Sequence, residues 1–170
     1  MRPIGWVALA AVALAVAWQF APERPRMPVA GATATDWNHA TFWHEPWGRS
    51  GVHKGIDIFA AKGTPVLAPT FGIILFSGEI ALGGKVVFAL GPGWRVHYFA
   101  HLEETATWPG QPISAGSLIG RVGDSGNAAG RPPHLHYSVM TLLPRPWRAD
   151  AARQGWKKMF YLDPTDYLGG

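Results

Sequence analysis

Residues 85–102 read Lys-Val-Val-Phe-Ala-Leu-Gly-Pro-Gly-Trp-Arg-Val-His-Tyr-Phe-Ala-His-Leu. Two runs rich in β-branched and aromatic residues flank Gly91-Pro92-Gly93, the pattern of two strands joined by a short reversal. The same alternation of apolar run and turn-former continues on both sides. It recurs in GIDIFA (55–60), PVLAP (65–69), GIILFSGEI (72–80), SLIGRV (117–122) and HLHYSVMT (134–141). The 21 glycines and 15 prolines supply the breaks between runs. No long stretch repeats with a 3.6-residue period; residues 147–161 alone offer a helix, against a basic cluster and Gly155. The pattern predicts an all-β domain, antiparallel, built as a two-sheet β-sandwich or an open barrel.

A chain of 170 residues with 48% hydrophobic and 15% charged residues is one globular domain rather than a disordered one. It has no cysteine, which excludes disulfide scaffolds, thiolate metal sites and cysteine nucleophiles. Any metal must sit on histidines and carboxylates. The formal charge is +4, but residues 31–170 hold twelve Lys and Arg against ten Asp and Glu. The local excess is Arg145, Arg148, Arg153, Lys157 and Lys158, opposed by Asp150. This reads as a solvated basic edge, not the aromatic-interleaved stripe of a nucleic-acid binder.

Residues 4–17, IGWVALAAVALAVA, follow Met1-Arg2-Pro3 without a charge. A basic start and an apolar run of this length describe an export signal, with Ala15-Val16-Ala17 as a cleavage site. Uncut, the run extends to Ala21 and residues 4–21 would hold the chain on the cytoplasmic membrane. Either way the protein is expected outside the cytoplasm, periplasmic or in the cell envelope. Residues 1–21 are thus signal or anchor. Residues 22–35 begin with PERPRMPVAG and read as a Pro-rich stem, and residues 36–170 are the domain.

Seven histidines occur, and three of them fall in patterns. By composition, His53-Lys-Gly-Ile-Asp57 is a chance match roughly 0.2 times per chain and His134-Leu-His136 roughly 0.3 times, so the pair together carries weight that neither has alone. In an extended HLH the two imidazoles share a face from Cα atoms about 7 Å apart. Both could ligate one metal, or one could ligate while the other faces a bound water. His53 and Asp57 share parity as well, but a straight strand would part them by about 13 Å, so the chain must bend between them. Gly55 permits that bend and a close approach of backbone to metal. Two neutral imidazoles and a carboxylate suit Zn²⁺ with a fourth position open. His39 and His44 read as ordinary core or surface residues. His97 shares parity with His101 on one strand and receives no role.

These residues resemble the LytM/lysostaphin-type zinc metallopeptidases, peptidase family M23, over roughly residues 44–141. The resemblance rests on Gly51–Ile58, on Gly63–Pro69 with Gly72, on Tyr98–Leu102, on Gly116–Gly126 and on Pro133–Val139, in the family's order. It implies that His53, Asp57 and His136 ligate one Zn²⁺ per chain, and that His134 and His101 are the catalytic pair. It also implies a two-sheet antiparallel β fold with zinc in a groove. The implied activity is cleavage of peptide cross-links in bacterial peptidoglycan, with the peptide stems as partner. Two positions depart from the pattern. Phe99 stands where a tyrosine is common two residues before the strand histidine, with Tyr98 on the opposite parity, and Tyr137-Ser138 replaces aromatic-Glu after HLH.

The alternative is a catalytically silent peptidoglycan-binding activator of a partner hydrolase. Such members lack ligands, whereas all three are present here. Two other readings fail: an Fe(II) facial triad commonly uses HxD rather than HxxxD, and a cupin requires a Glu soon after HxH.

Overall fold

The computed structural model describes residues 3–169; the basic start at Arg2 lies outside them. The 85–102 stretch forms two antiparallel strands, β4 (Gly84–Gly91) and β5 (Arg95–Thr105), joined by a 3-10 turn over Pro92–Trp94. Gly93 takes φ 63° there, a conformation that glycine adopts without a Cβ clash. The other strands are β1 (Ile56–Phe59), β2 (Pro65–Leu67), β3 (Gly72–Ile80), β6 (Pro112–Ile113), β7 (Leu118–Val122), β8 (His134–Thr141) and β9 (Tyr161–Leu162).

The strands run in the order β1-β8-β5-β4-β3-β6, all antiparallel, with β9 beside β8. The second layer, β2 and β7, is not a separate sheet. β5 pairs with β8 from Arg95 to Ala100, then with β7 from Leu102 to Thr105. One strand of eleven residues therefore serves both layers, and the two expected sheets are one open hydrogen-bonded network. Short runs concealed this, because only a long strand that changes partner can join the layers.

Alternation places Ile56, Ile58, Phe99, Leu135, Tyr137 and Val139 on the inner face, packed against Val66, Ile119, Val122 and Leu102 in one cluster. Each fully buried large side chain contributes roughly 1.5–3 kcal/mol. The opposite faces of β1, β5 and β8 are left for the site.

The stem is not free. Val29 is buried in the core and bridges to Val66, Arg26 N–H donates to Pro69 O, and Leu67 N–H donates to Pro28 O. The folded unit thus begins about ten residues before the expected start at residue 36, because Met27 and Val29 carry enough apolar surface to cover β2. Residues 147–161 form two 3-10 segments, Pro146–Arg148 and Gly155–Phe160, instead of a helix. α1 (Pro3–Phe20) is apolar on all sides and exposes Val7, Leu14 and Phe20. At 18 residues it is about 27 Å long against about 30 Å of bilayer hydrocarbon, and among the described residues no helix is long and apolar enough to cross a membrane. A five-residue α2 (Pro164–Leu168) closes the chain, capped by Asp163, whose carboxylate accepts from Thr165 N–H.

His97 points away from the site into the core side, where its Nδ1 lies 2.8 Å from Tyr137 Oη and its Nε2 has no partner. Burial, and secondarily the Arg95 charge, lower its pKa to about 3. The folded state therefore holds His97 neutral while the unfolded chain takes up a proton below pH 6.5. Stability from this group is complete above pH 6.5 and is lost on acidification toward pH 3, at about 1.4 kcal/mol per pH unit. Urea unfolding at stepped pH should show this slope relaxed in His97→Gln between pH 6.5 and 4; an unchanged slope would place the acid sensitivity elsewhere.

Candidate metal centre

Asp57 on β1 is the register partner of His136 on β8, so the two side chains leave one face side by side. His53 precedes β1 in irregular chain, and the bend between it and Asp57 occurs before the strand begins at Ile56. Gly55 serves that bend differently from the sequence expectation. A Cβ there would lie 2.4 Å from Tyr137 O and 2.6 Å from Ser138 Oγ, so the close approach is to β8 and not to a metal.

The three side chains each present one ligand atom, all within 4.8 Å of one another. Asp57 Oδ1 lies 3.1 Å from His53 Nε2 and 2.8 Å from His136 Nδ1, and the two nitrogens are 3.1 Å apart. The outer nitrogens are already committed. His53 Nδ1–H donates to Thr41 O at 3.1 Å, and His136 Nε2 lies 3.1 Å from Ser138 Oγ, whose hydroxyl accepts its N–H in the tautomer that leaves Nδ1 bare. In these tautomers the inner atoms are two bare lone pairs and a carboxylate oxygen converging on one point, which repel each other unless a cation sits among them. Second partners that fix ring orientation are what metal-binding histidines need. The donor set, N, N and O with no sulfur, fits Zn²⁺ with a further position open.

Charge states agree with that use. Burial opposes ionisation of Asp57, but the His136 and His53 rings outweigh it and hold the carboxyl well below the usual carboxylate range. Burial, against the opposing pull of Asp57, lowers the pKa of His136 and keeps it neutral. Trp47 stacks on His53 with ring centroids 4.0 Å apart at 19°, covering the cradle from one side.

His101 reaches the same place by an irregularity. Between the pairs Val87–Phe99 and Lys85–Leu102, Ala100 and His101 together face Val86, which is a β-bulge. His101 takes φ 63°, strain that is commonest at functional sites. Its N–H donates to Gly83 O at 2.8 Å and its Nδ1–H to Ser125 O at 3.0 Å. Ser125 holds the bulge open. Its hydroxyl donates to Leu102 O and accepts from Lys85 N–H, filling the gap in the ladder. Sequence reading passed over Ser125, although it lies inside a matched segment; only the bulge reveals its task. His134 Nδ1–H donates to Pro132 O at 2.8 Å, and its ring lies 5.1 Å from that of His101. Burial, then the neighbouring His136 and His134, lower the His101 pKa to about 4.

The bulge also reverses the strand parity used for Tyr98 and Phe99. Phe99 is buried against Tyr137, whereas Tyr98 faces the site, its ring 6.0 Å from that of His136. The departure at Phe99 therefore leaves a tyrosine in the groove. His39 and His44 are exposed and outside the cradle, although His44 O accepts from His53 N–H. Two cavities flank the cradle. One, about 330 Å³, is lined by Lys54, Tyr98, His136, Ser138 and Tyr161; the other, about 280 Å³, by Asp57, Phe59, Asn127, Arg131 and His134. Trp47 and His101 border both, so the cradle forms the floor of a continuous groove.

The model of peptidase family M23 matches residues 51–148, more than half of the chain and all of the cradle. The chain belongs to peptidase family M23. Among M23 relatives, the L-Ala–D-Glu endopeptidase of Bacillus subtilis is 37% identical over 114 residues, 62% of this chain and 35% of that protein. The peptidoglycan DD-endopeptidase ShyC of Vibrio cholerae is 29% identical over 97 residues, 57% of this chain and 22% of that protein. The chain thus spans about a third or less of the length of these relatives. The catalytic domain of lysostaphin from Staphylococcus simulans superposes with TM-score 0.59 at 27% identity, over 74% of this chain and 86% of that domain.

Gly55→Ala should push β1 off β8 and part Asp57 from His136, costing about 1–3 kcal/mol of stability. Isothermal titration with Zn²⁺ should show at least tenfold weaker binding. A variant that binds as the parent does would mean that this close approach does not set the cradle.

Proposed function

We propose that the chain is an exported zinc endopeptidase that hydrolyses peptide cross-links of bacterial peptidoglycan. The observation that carries the reading is the cradle of His53, Asp57 and His136 on the floor of a groove, with two further imidazoles turned toward it. Membership of family M23 and relatives named as peptidoglycan and L-Ala–D-Glu endopeptidases support the substrate class. The apolar run over residues 4–17 supports export.

Zn²⁺ on these ligands supplies Lewis acidity toward the scissile carbonyl and activation of water at neutral pH. The remaining work falls to the chain. His101 and His134 each give Nδ1–H to a backbone carbonyl, Ser125 O and Pro132 O, which leaves Nε2 bare on both rings. Either Nε2 is suited to take the proton from the attacking water and return it to the leaving amine. Neutral imidazoles are required for that, and burial keeps His101 neutral at pH 7. Tyr98 stays protonated, its pKa raised by burial to about 12, so its hydroxyl is available as a donor in the groove. Trp47 and Phe59 provide apolar walls to the groove.

The test is the purified full chain with Zn²⁺ on isolated sacculi, with muropeptides read by mass spectrometry. Loss of cross-linked dimers, abolished in Asp57→Ala together with stoichiometric zinc, is the expected result. His101→Ala should retain zinc and lose at least a hundredfold in rate, and Tyr98→Phe should keep zinc and lose roughly tenfold. Zinc bound stoichiometrically with no cleavage would overturn the peptidase reading in favour of the silent, wall-binding activator.

A further inference from the structure

The basic cluster that sequence reading set aside as a solvated edge does not stand alone. Residues 142–158 carry Arg145, Arg148, Arg153, Lys157 and Lys158 against Asp150 only. Within the same loop Leu142, Leu143 and Trp147 are exposed, Trp147 by 79%.

Leu142 N–H donates to Trp94 O, so the loop abuts the β4–β5 turn. α1 reaches the same turn: Trp18 Nε1–H donates to Gly91 O at 2.7 Å, and Trp18 meets Phe71, itself exposed, edge-on at 5.5 Å. The exposed Leu142, Leu143, Trp147 and Phe71 thus surround the point where an all-round apolar helix leaves the domain. Three guanidiniums stand beside them. Arg95, Arg145 and Arg148 line one cavity of about 370 Å³, and the Nε atoms of Arg95 and Arg148 are buried without partners. Three acids share that cavity: Glu23, which pairs with Arg95 and accepts from Tyr167, Asp163, which caps α2, and Asp166, so the excess of positive charge at this end comes from outside the cavity.

We propose that this end of the domain, centred on Leu142–Arg148, docks on the surface of an anionic phospholipid membrane. Leu and Trp side chains enter the headgroup boundary while arginines meet phosphate, the division of labour seen in interfacial segments. The exposed apolar groups adjoin a helix that is itself apolar all round, which suits a lipid boundary. The consequence for the cradle is geometric. Both β5, from Arg95 to His101, and β8, from Thr141 back to His136, run from this end to the site. At about 3.3 Å per residue the site stands roughly 17–20 Å from the docked surface.

The chain has no cysteine, so a single introduced one reports without background. Full-length Leu143→Cys and Ala81→Cys would each carry an environment-sensitive fluorophore; Ala81 is exposed in the β3–β4 turn, at the opposite end of β4 from Gly91. Both would be bound to vesicles of phosphatidylcholine alone or with phosphatidylglycerol. The expected result is a blue shift and a severalfold rise in emission at position 143 on phosphatidylglycerol vesicles. Pure phosphatidylcholine should give much less, and position 81 should not change. Adding Arg145→Glu and Arg148→Glu should erase the response while circular dichroism and zinc content stay as in the parent. An unchanged spectrum at position 143 on vesicles that carry the chain, equal responses with both lipids, or an equal response at position 81 would each overturn the proposal. None of these outcomes bears on peptidoglycan cleavage.

Discussion

The register of β8 between β1 and β5 is the constraint from which the site follows. Asp57 faces His136 across one ladder, and Ala100 faces His136 across the other. On the reverse side of the same strands Ile56, Tyr137 and Phe99 line up into the core. A slip of one residue would bury the ligands and expose the core residues together. The apolar packing that stabilises the sheet therefore also fixes where the ligand atoms meet. Ala100, small and buried beside His136, leaves room for the groove.

His101 depends on a second device. A regular β5 would point it to the same side as His97 and Phe99, into the core. The bulge turns it out, and the left-handed backbone it requires costs about 1–2 kcal/mol in a residue with a Cβ. Hydrogen bonds from Ser125, and the seating of Gly126 against Gly84, hold that conformation; a Cβ on Gly84 would lie 2.3 Å from Ser125 Oγ. The glycines of the 123–126 loop are thus spacers that let it press on the end of β4, where its carbonyl receives the His101 ring.

Much of this was legible in the sequence, because strand parity and turn-formers are local. The HLH parity, the need for a bend after His53 and the strand runs all follow from residues next to one another. What escaped has non-local causes. The joining of two layers rests on β5 changing partner at His101, and no short run reports that. The exchange of Tyr98 for Phe99 in the groove follows from a single positive φ, which a histidine does not advertise. The stretch 22–35 reads as a Pro-rich stem because of Pro22, Pro25 and Pro28, yet Met27 and Val29 suffice to dock it on β2.

Two of the three cradle residues, Asp57 and His136, stand on paired strands, whereas His53 belongs to irregular chain. Its backbone is tied to Trp43 and His44, and its ring to Thr41 and Trp47, so residues 41–53 move with it or not at all. A displacement of that segment would withdraw His53 and its aromatic cover together, while Asp57 and His136 keep their places on paired strands.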